Sequence, residues 1–91
     1  DNTAEAPKFV VSGRVTSEDV PGGIPGVNIV LKGTGTGTAT DASGNFRLSI
    51  PDPGDGVLIF SYIGYQTQEV PVNRRSQINV TLRADERGLN E

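Results

Sequence analysis

Asp41, Ser43 and Asn45 stand at alternate positions, the oxygen spacing with which a calcium-binding loop opens. Such a loop also needs further oxygens and a distal bidentate Glu between two helices, but position 47 is Arg and position 52 follows a proline. The same residues suit a β-turn, with Asp41 bonding its own backbone two residues on and Gly44 taking positive φ, so Asp41 and Gly44 are assigned structural turn roles. Two carboxylate pairs have spacing for acid–base work, Asp52 with Asp55 and Asp85 with Glu86. Both fall in segments expected to be solvated, where nothing separates their pKa values. With no histidine and no cysteine, neither a Ser-His-Asp or Cys-His nucleophile nor a thiolate or imidazole metal site is available.

The remaining candidates are weaker in chemistry. Gly33-Thr34-Gly35-Thr36-Gly37-Thr38 resembles a phosphate loop but lacks a Gly-Lys-Ser/Thr ending and a following helix whose N-terminus would hold an anion. Asn79-Val80-Thr81 is a glycosylation sequon that also reads as the polar face of a strand. Lys8, Asn79 and Glu69 are the residue types of an internal Lys-Asn cross-link, but Lys8 precedes the apolar alternation. Catalytic, cofactor and metal residues are therefore assigned as none, and the chain is expected not to be an enzyme. Tyr62, Ile63 and Tyr65 around Gly64 remain, and two readings stand for them. The tyrosines offer amphipathic contact area to a partner at low entropy cost, or they cap the core as a tyrosine corner does.

The elements that must carry these residues are strands. Phe9, Val11, Gly13 and Val15 alternate with Val10, Ser12, Arg14 and Thr16, the period of two expected of a strand with one wet face. Asp19 to Gly26 holds two prolines and three glycines and interrupts it. Val27, Ile29 and Leu31 resume an inward face. From Gly33 to Thr40 the threonines alternate with Gly or Ala, which predicts an extended segment with one β-branched and one bare face rather than a flexible linker. Asp41–Gly44 then predicts a hairpin into a strand with Phe46, Leu48 and Ile50 inward. Val57 to Tyr62, apolar on both faces, predicts a central strand, with Gly64 kinking or turning its end. Tyr65–Val72 and Ser76–Leu82 complete the set, the last with Ile78, Val80 and Leu82 inward. About seven short strands with twelve glycines and six prolines between them predict an all-β, Greek-key sandwich of two sheets.

One domain fits in 91 residues. Its limits are read as residues 9–83, with a flexible lead-in over 1–8 and a flexible tail over 84–91. A net charge of −3 and no basic cluster larger than Arg74-Arg75 argue against nucleic acid as partner. No apolar run reaches the ~18 residues that cross a bilayer, so the chain is not expected to be membrane-inserted.

The motifs Val11-Ser12-Gly13-Arg14-Val15, Ile24-Pro25-Gly26-Val27-Asn28-Ile29, Gly33-Thr34, Gly37-Thr38, Thr40-Asp41, Gly44-Asn45-Phe46 and Phe60-Ser61-Tyr62-Ile63-Gly64-Tyr65 resemble the carboxypeptidase regulatory-like domain. The resemblance spans about Phe9 to Leu82 and implies a seven-stranded sandwich, transthyretin-like or immunoglobulin-like. It brings no catalytic residues and no cofactor. The Ser-Tyr-Ile-Gly-Tyr form is similar to the version that extends the N-terminus of SusC-like TonB-dependent outer-membrane transporters, where the domain sits in the periplasm. In that family a Leu-(Asp/Asn)-Glu tripeptide leads into a TonB box, and Leu89-Asn90-Glu91 stands at the corresponding place, without the box. The resemblance thus implies an accessory domain whose partners are the transporter's plug and barrel and components of the TonB system. Tyr62, Ile63, Tyr65, Leu89, Asn90 and Glu91 are its candidate contacts. The alternative is a structural companion of a secreted or surface peptidase or adhesin.

Overall fold

A computed structural model of the chain describes residues 9–51, 54 and 56–85. Seven strands occur in them: β1 (Phe9–Ser17), β2 (Asn28–Leu31), β3 (Gly37–Ala39), β4 (Asn45–Ile50), β5 (Val57–Ser61), β6 (Gln68–Pro71) and β7 (Val80–Leu82). They form two sheets, ordered β4-β1-β7 and β3-β2-β5-β6, which is the expected all-β sandwich. The period of two in the sequence becomes the burial pattern, strictly so in β4, where Phe46, Leu48 and Ile50 are buried and Asn45, Arg47 and Ser49 exposed. Ile78, Val80 and Leu82 are likewise inward. Phe46 of one sheet meets Phe60 of the other edge-to-face, with ring centroids 5.5 Å apart, and this pair joins the layers at the centre of the core.

β5 is central, as its composition predicts, with β2 and β6 on either side. Leu58 and Phe60 are buried in the core, while Val57 and Ile59 on the outer face are half-covered. The ion pair of Lys32 with Glu69, at 3.0 Å, joins the segments flanking β5 on that face. It leaves Val30 partly exposed.

Three expectations are corrected. The Gly-Thr tract is extended only over Gly37–Ala39. Gly33 takes a φ of 83° and the Thr34 hydroxyl donates back to the Leu31 carbonyl, so the tract's first half closes a turn between β2 and β3. Asp41–Gly44 makes no hairpin. β3 pairs with β2 while β4 pairs with β1, so this turn carries the chain from one sheet to the other. Tyr65–Val72 and Ser76–Leu82 contain shorter strands than expected, because their outer residues pair elsewhere: Tyr65 bridges to Ala84, and Gln77 to Ser12.

β1 and β7 run parallel, with Val15, Thr16 and Ser17 beside Val80, Thr81 and Leu82. This pairing requires a glycine. A Cβ on Gly13 would lie 1.7 Å from the Ile78 carbonyl oxygen, so the backbones meet there only because position 13 is bare. Because β1 enters at one end of the sandwich and β7 leaves at the other, the described chain begins and finishes at opposite ends.

Candidate contact surface

The end at which β7 finishes holds the surface features of interest. Tyr62–Tyr65 is a tight turn in which the Tyr65 N–H donates to the Tyr62 carbonyl at 3.1 Å, with Gly64 at a φ of 87°. Positive φ at the third position is the requirement of a type II turn, which a glycine meets without strain. Ile63 occupies the second position, at the tip, and is 88% exposed. It is the most exposed large apolar side chain among the described residues. The tyrosines behave differently. Both are half-buried and pack against the core, with rings 6.0 Å apart and tilted by 41°. The Tyr65 hydroxyl lies 3.5 Å from Ser17 Oγ. The two sequence readings therefore divide by residue: Tyr62 and Tyr65 prop the turn on the core, and Ile63 is what the turn presents.

The polypeptide after β7 runs beside this turn. Gln66 N–H donates to the Arg83 carbonyl at 2.8 Å, and Asp85 N–H donates to the Gly64 carbonyl at 2.9 Å. Gln68 Nε2 donates to the Thr81 carbonyl. The approach to β6 thus covers the free edge of β7 and closes one side of the sandwich, which removes an edge that another strand could join. Alongside lies a groove of about 660 Å³ lined by Ser17, Glu18, Asp19, Tyr65, Gln66 and Thr81 to Ala84. Sequence reasoning missed the groove, because its walls come from segments more than sixty residues apart that only the parallel β1–β7 pairing brings together. One Asp85 carboxylate oxygen is buried without a hydrogen-bond partner. Leu89, Asn90 and Glu91 lie outside the described residues.

Elsewhere the candidate chemistry is engaged in holding the fold. Asp41 Oδ1 accepts from the backbone N–H groups of Ser43, at 2.9 Å, and Asn45, at 3.0 Å, so the carboxylate fixes a turn. Gly44, φ 83°, sits where a Cβ would be 2.6 Å from Gly23 Cα and 2.7 Å from the Val15 carbonyl oxygen. Arg14 was also missed by sequence. Its guanidinium donates to the carbonyls of Ser43, at 3.1 Å, and Gly22, at 2.6 Å, joining the two loops that flank β1's end. Asn79 of the sequon accepts the Arg14 N–H on its Oδ1 at 3.2 Å. Glu69 pairs with Lys32 on the sheet opposite Asn79, while Lys8, Asp52, Asp55 and Glu86 lie outside the described residues. Among the described residues, no group of three or more Asp and Glu is placed to hold a metal ion.

Comparison with known proteins gives this fold a context. The family profile of the CarboxypepD_reg-like domain matches residues 11–91. The chain is 48% identical over 82 residues to TonB-dependent receptor P39 of Formosa agariphila, an alignment covering 89% of this chain and 8% of that protein. It is 52% identical over 66 residues to TonB-dependent receptor SusC of Bacteroides thetaiotaomicron, covering 72% of this chain and 6% of that protein. The chain therefore spans less than a tenth of the length of the receptors it matches. Among solved structures, it resembles a chain of a type II cohesin–X–dockerin complex from Acetivibrio cellulolyticus, a C-terminal interface mutant, with a TM-score of 0.63. That match has 22% identity and covers 80% of this chain and 52% of the other. The N-terminal interface mutant of the complex gives 0.65 at 18% identity, covering 84% and 58%. At these identities the likeness is one of fold.

Proposed function

Because the chain belongs to the CarboxypepD_reg-like domain family, we propose that it is a non-catalytic accessory domain at the N-terminus of a TonB-dependent outer-membrane transporter. It stands in the periplasm and acts through protein contacts during energy-coupled import of glycans or other nutrients. The observation that carries this reading is the 40–52% identity to four TonB-dependent receptors. The engagement of Asp41, Asn79 and Glu69 in structural bonds supports a domain that does no chemistry.

The contact is made by Ile63. An 88%-exposed isoleucine at the tip of a turn propped by two half-buried tyrosines is a pre-organised apolar anchor, and aromatic support limits the entropy lost when it docks. Its occupant is the transporter's own plug. The backbone is hydrogen-bonded to this turn at Asp85, so polypeptide on the C-terminal side of that residue starts out at the anchor.

These 91 residues hold no cysteine, so Ile63→Cys, placed in a full-length receptor whose cysteines outside this domain are replaced by serine, is a unique attachment point for a photo-cross-linker. Cross-links from position 63 to plug residues of the same polypeptide are expected in outer-membrane preparations. Cross-links only to unrelated proteins, or plug cross-links no more frequent than those from the exposed control Arg47→Cys, would overturn the assignment of Ile63. Deleting residues 9–85 is expected to reduce uptake while the barrel still assembles, and normal uptake would count against the accessory role.

A further inference from the structure

We propose that the parallel β1–β7 pair is a mechanical clamp that lets this domain carry tension between the segments on either side of it without unfolding. The clamp is a property of topology and holds whichever protein the domain serves. Chain direction places Phe9 at one end of β1 and Leu82 at the opposite end of the adjacent β7, so drawing the ends apart pulls the neighbouring strands in opposite senses along their length. Under that load the cross-strand bonds are strained together in shear, whereas a load across the strands opens them one after another. The connections to the β7 segment run along β1 from Ser12 to Ser17. Ser12 N–H donates to the Ser76 carbonyl and Ile78 N–H to the Ser12 carbonyl, both at 2.9 Å. Val15, Thr16 and Ser17 pair with Val80, Thr81 and Leu82.

Between these two runs the backbones lose regular register, and a side chain fills the gap. Asn79 Oδ1 accepts the Arg14 N–H at 3.2 Å, and Gln77 Nε2 donates to the same oxygen at 3.3 Å. The bare Gly13 permits this spacing. The clamp is also backed from the other side, because all of β1 from Phe9 to Arg14 is paired with β4. Asn79 is thus the residue that makes two short ladders act as one.

The test is single-molecule pulling of the 91-residue chain in two geometries. Handles at the two termini load β1 against β7 in shear. Handles at Glu18→Cys, an exposed residue just past β1, and at the C-terminus enter both strands from the same end and peel them apart. The shear geometry is expected to need about twofold or more the rupture force of the peeling geometry, since forced unfolding follows the height of the unfolding barrier and not equilibrium stability. Asn79→Ala is expected to lower the shear force and leave the peeling force unchanged, with its fold checked by circular dichroism. Equal forces in the two geometries overturn the proposal, and so does an Asn79→Ala variant that weakens both in the same proportion, which is the mark of a general loss of stability.

Discussion

At the residue scale, several described polar side chains that could do chemistry are bonded to the protein's own backbone instead. Asp41 shows this most directly. Its carboxylate oxygen already accepts two backbone N–H groups, so calcium would have to displace bonds that cost nothing further to keep. Addition of calcium chloride is expected to leave the melting temperature unchanged, whereas Asp41→Ala should destabilise the domain by about 1–2 kcal/mol, read from urea unfolding. Thr40 is a second case. Its buried hydroxyl accepts from Val27 N–H at 2.9 Å and donates to the Ile24 carbonyl at 2.6 Å. Thr40→Val keeps the volume but orphans both backbone groups, and about 1–3 kcal/mol should be lost in the same assay. A third residue works against the fold. Asn73 and Arg74 take φ of 50° and 62°, and the side chain of Arg75 donates to the carbonyls of Val72 and Pro71 across that turn. A glycine at the second left-handed position removes the Cβ conflict, so Arg74→Gly should raise stability by about 1 kcal/mol.

At the element scale the loops are held by contacts that span the sheets. Arg14 lies on β1 and joins the carbonyls of Gly22 and Ser43, while Ile24 N–H donates to the Val15 carbonyl and Val15 N–H to that of Gly44. Those loops therefore move with β1. Arg14→Ala is expected to increase amide exchange at Ile24 and Gly44 while leaving that of Phe60 in the central strand unchanged, because β5 shares none of these bonds. The Lys32–Glu69 pair is a contrasting element-level contact. Both side chains are about half exposed, at 56% and 51%, so solvent screens the attraction. Lys32→Ala should change stability by less than about 1 kcal/mol. Strand identities were readable because alternation survives in each segment; partners were not. The Asp41–Gly44 turn carries the local chemistry of a hairpin, yet it connects different sheets, and Phe46 on β4 faces Phe60 on β5 across the core.

At the scale of the whole molecule, one core holds both sheets, and the chain passes through it from end to end. Such a module suits a place within a longer polypeptide. Ile63 is exposed at the end where the described chain leaves, and this juxtaposition gives the domain a directed face on its C-terminal side. Composition and alternation by themselves determined that this is an all-β sandwich, that β5 lies inside a sheet, that Asp41 and Gly44 make a turn and that no histidine or cysteine chemistry is available. Those properties depend on residue type and on near neighbours in the chain, which is what a sequence records directly. The parallel meeting of β1 with β7, the Arg14 bridge, the groove beside Ser17 and the division of labour between Ile63 and its flanking tyrosines were decided by tertiary structure. Each depends on segments up to some seventy residues apart being brought within hydrogen-bonding distance, and their pairing is selected by how the whole core closes rather than by any local signal.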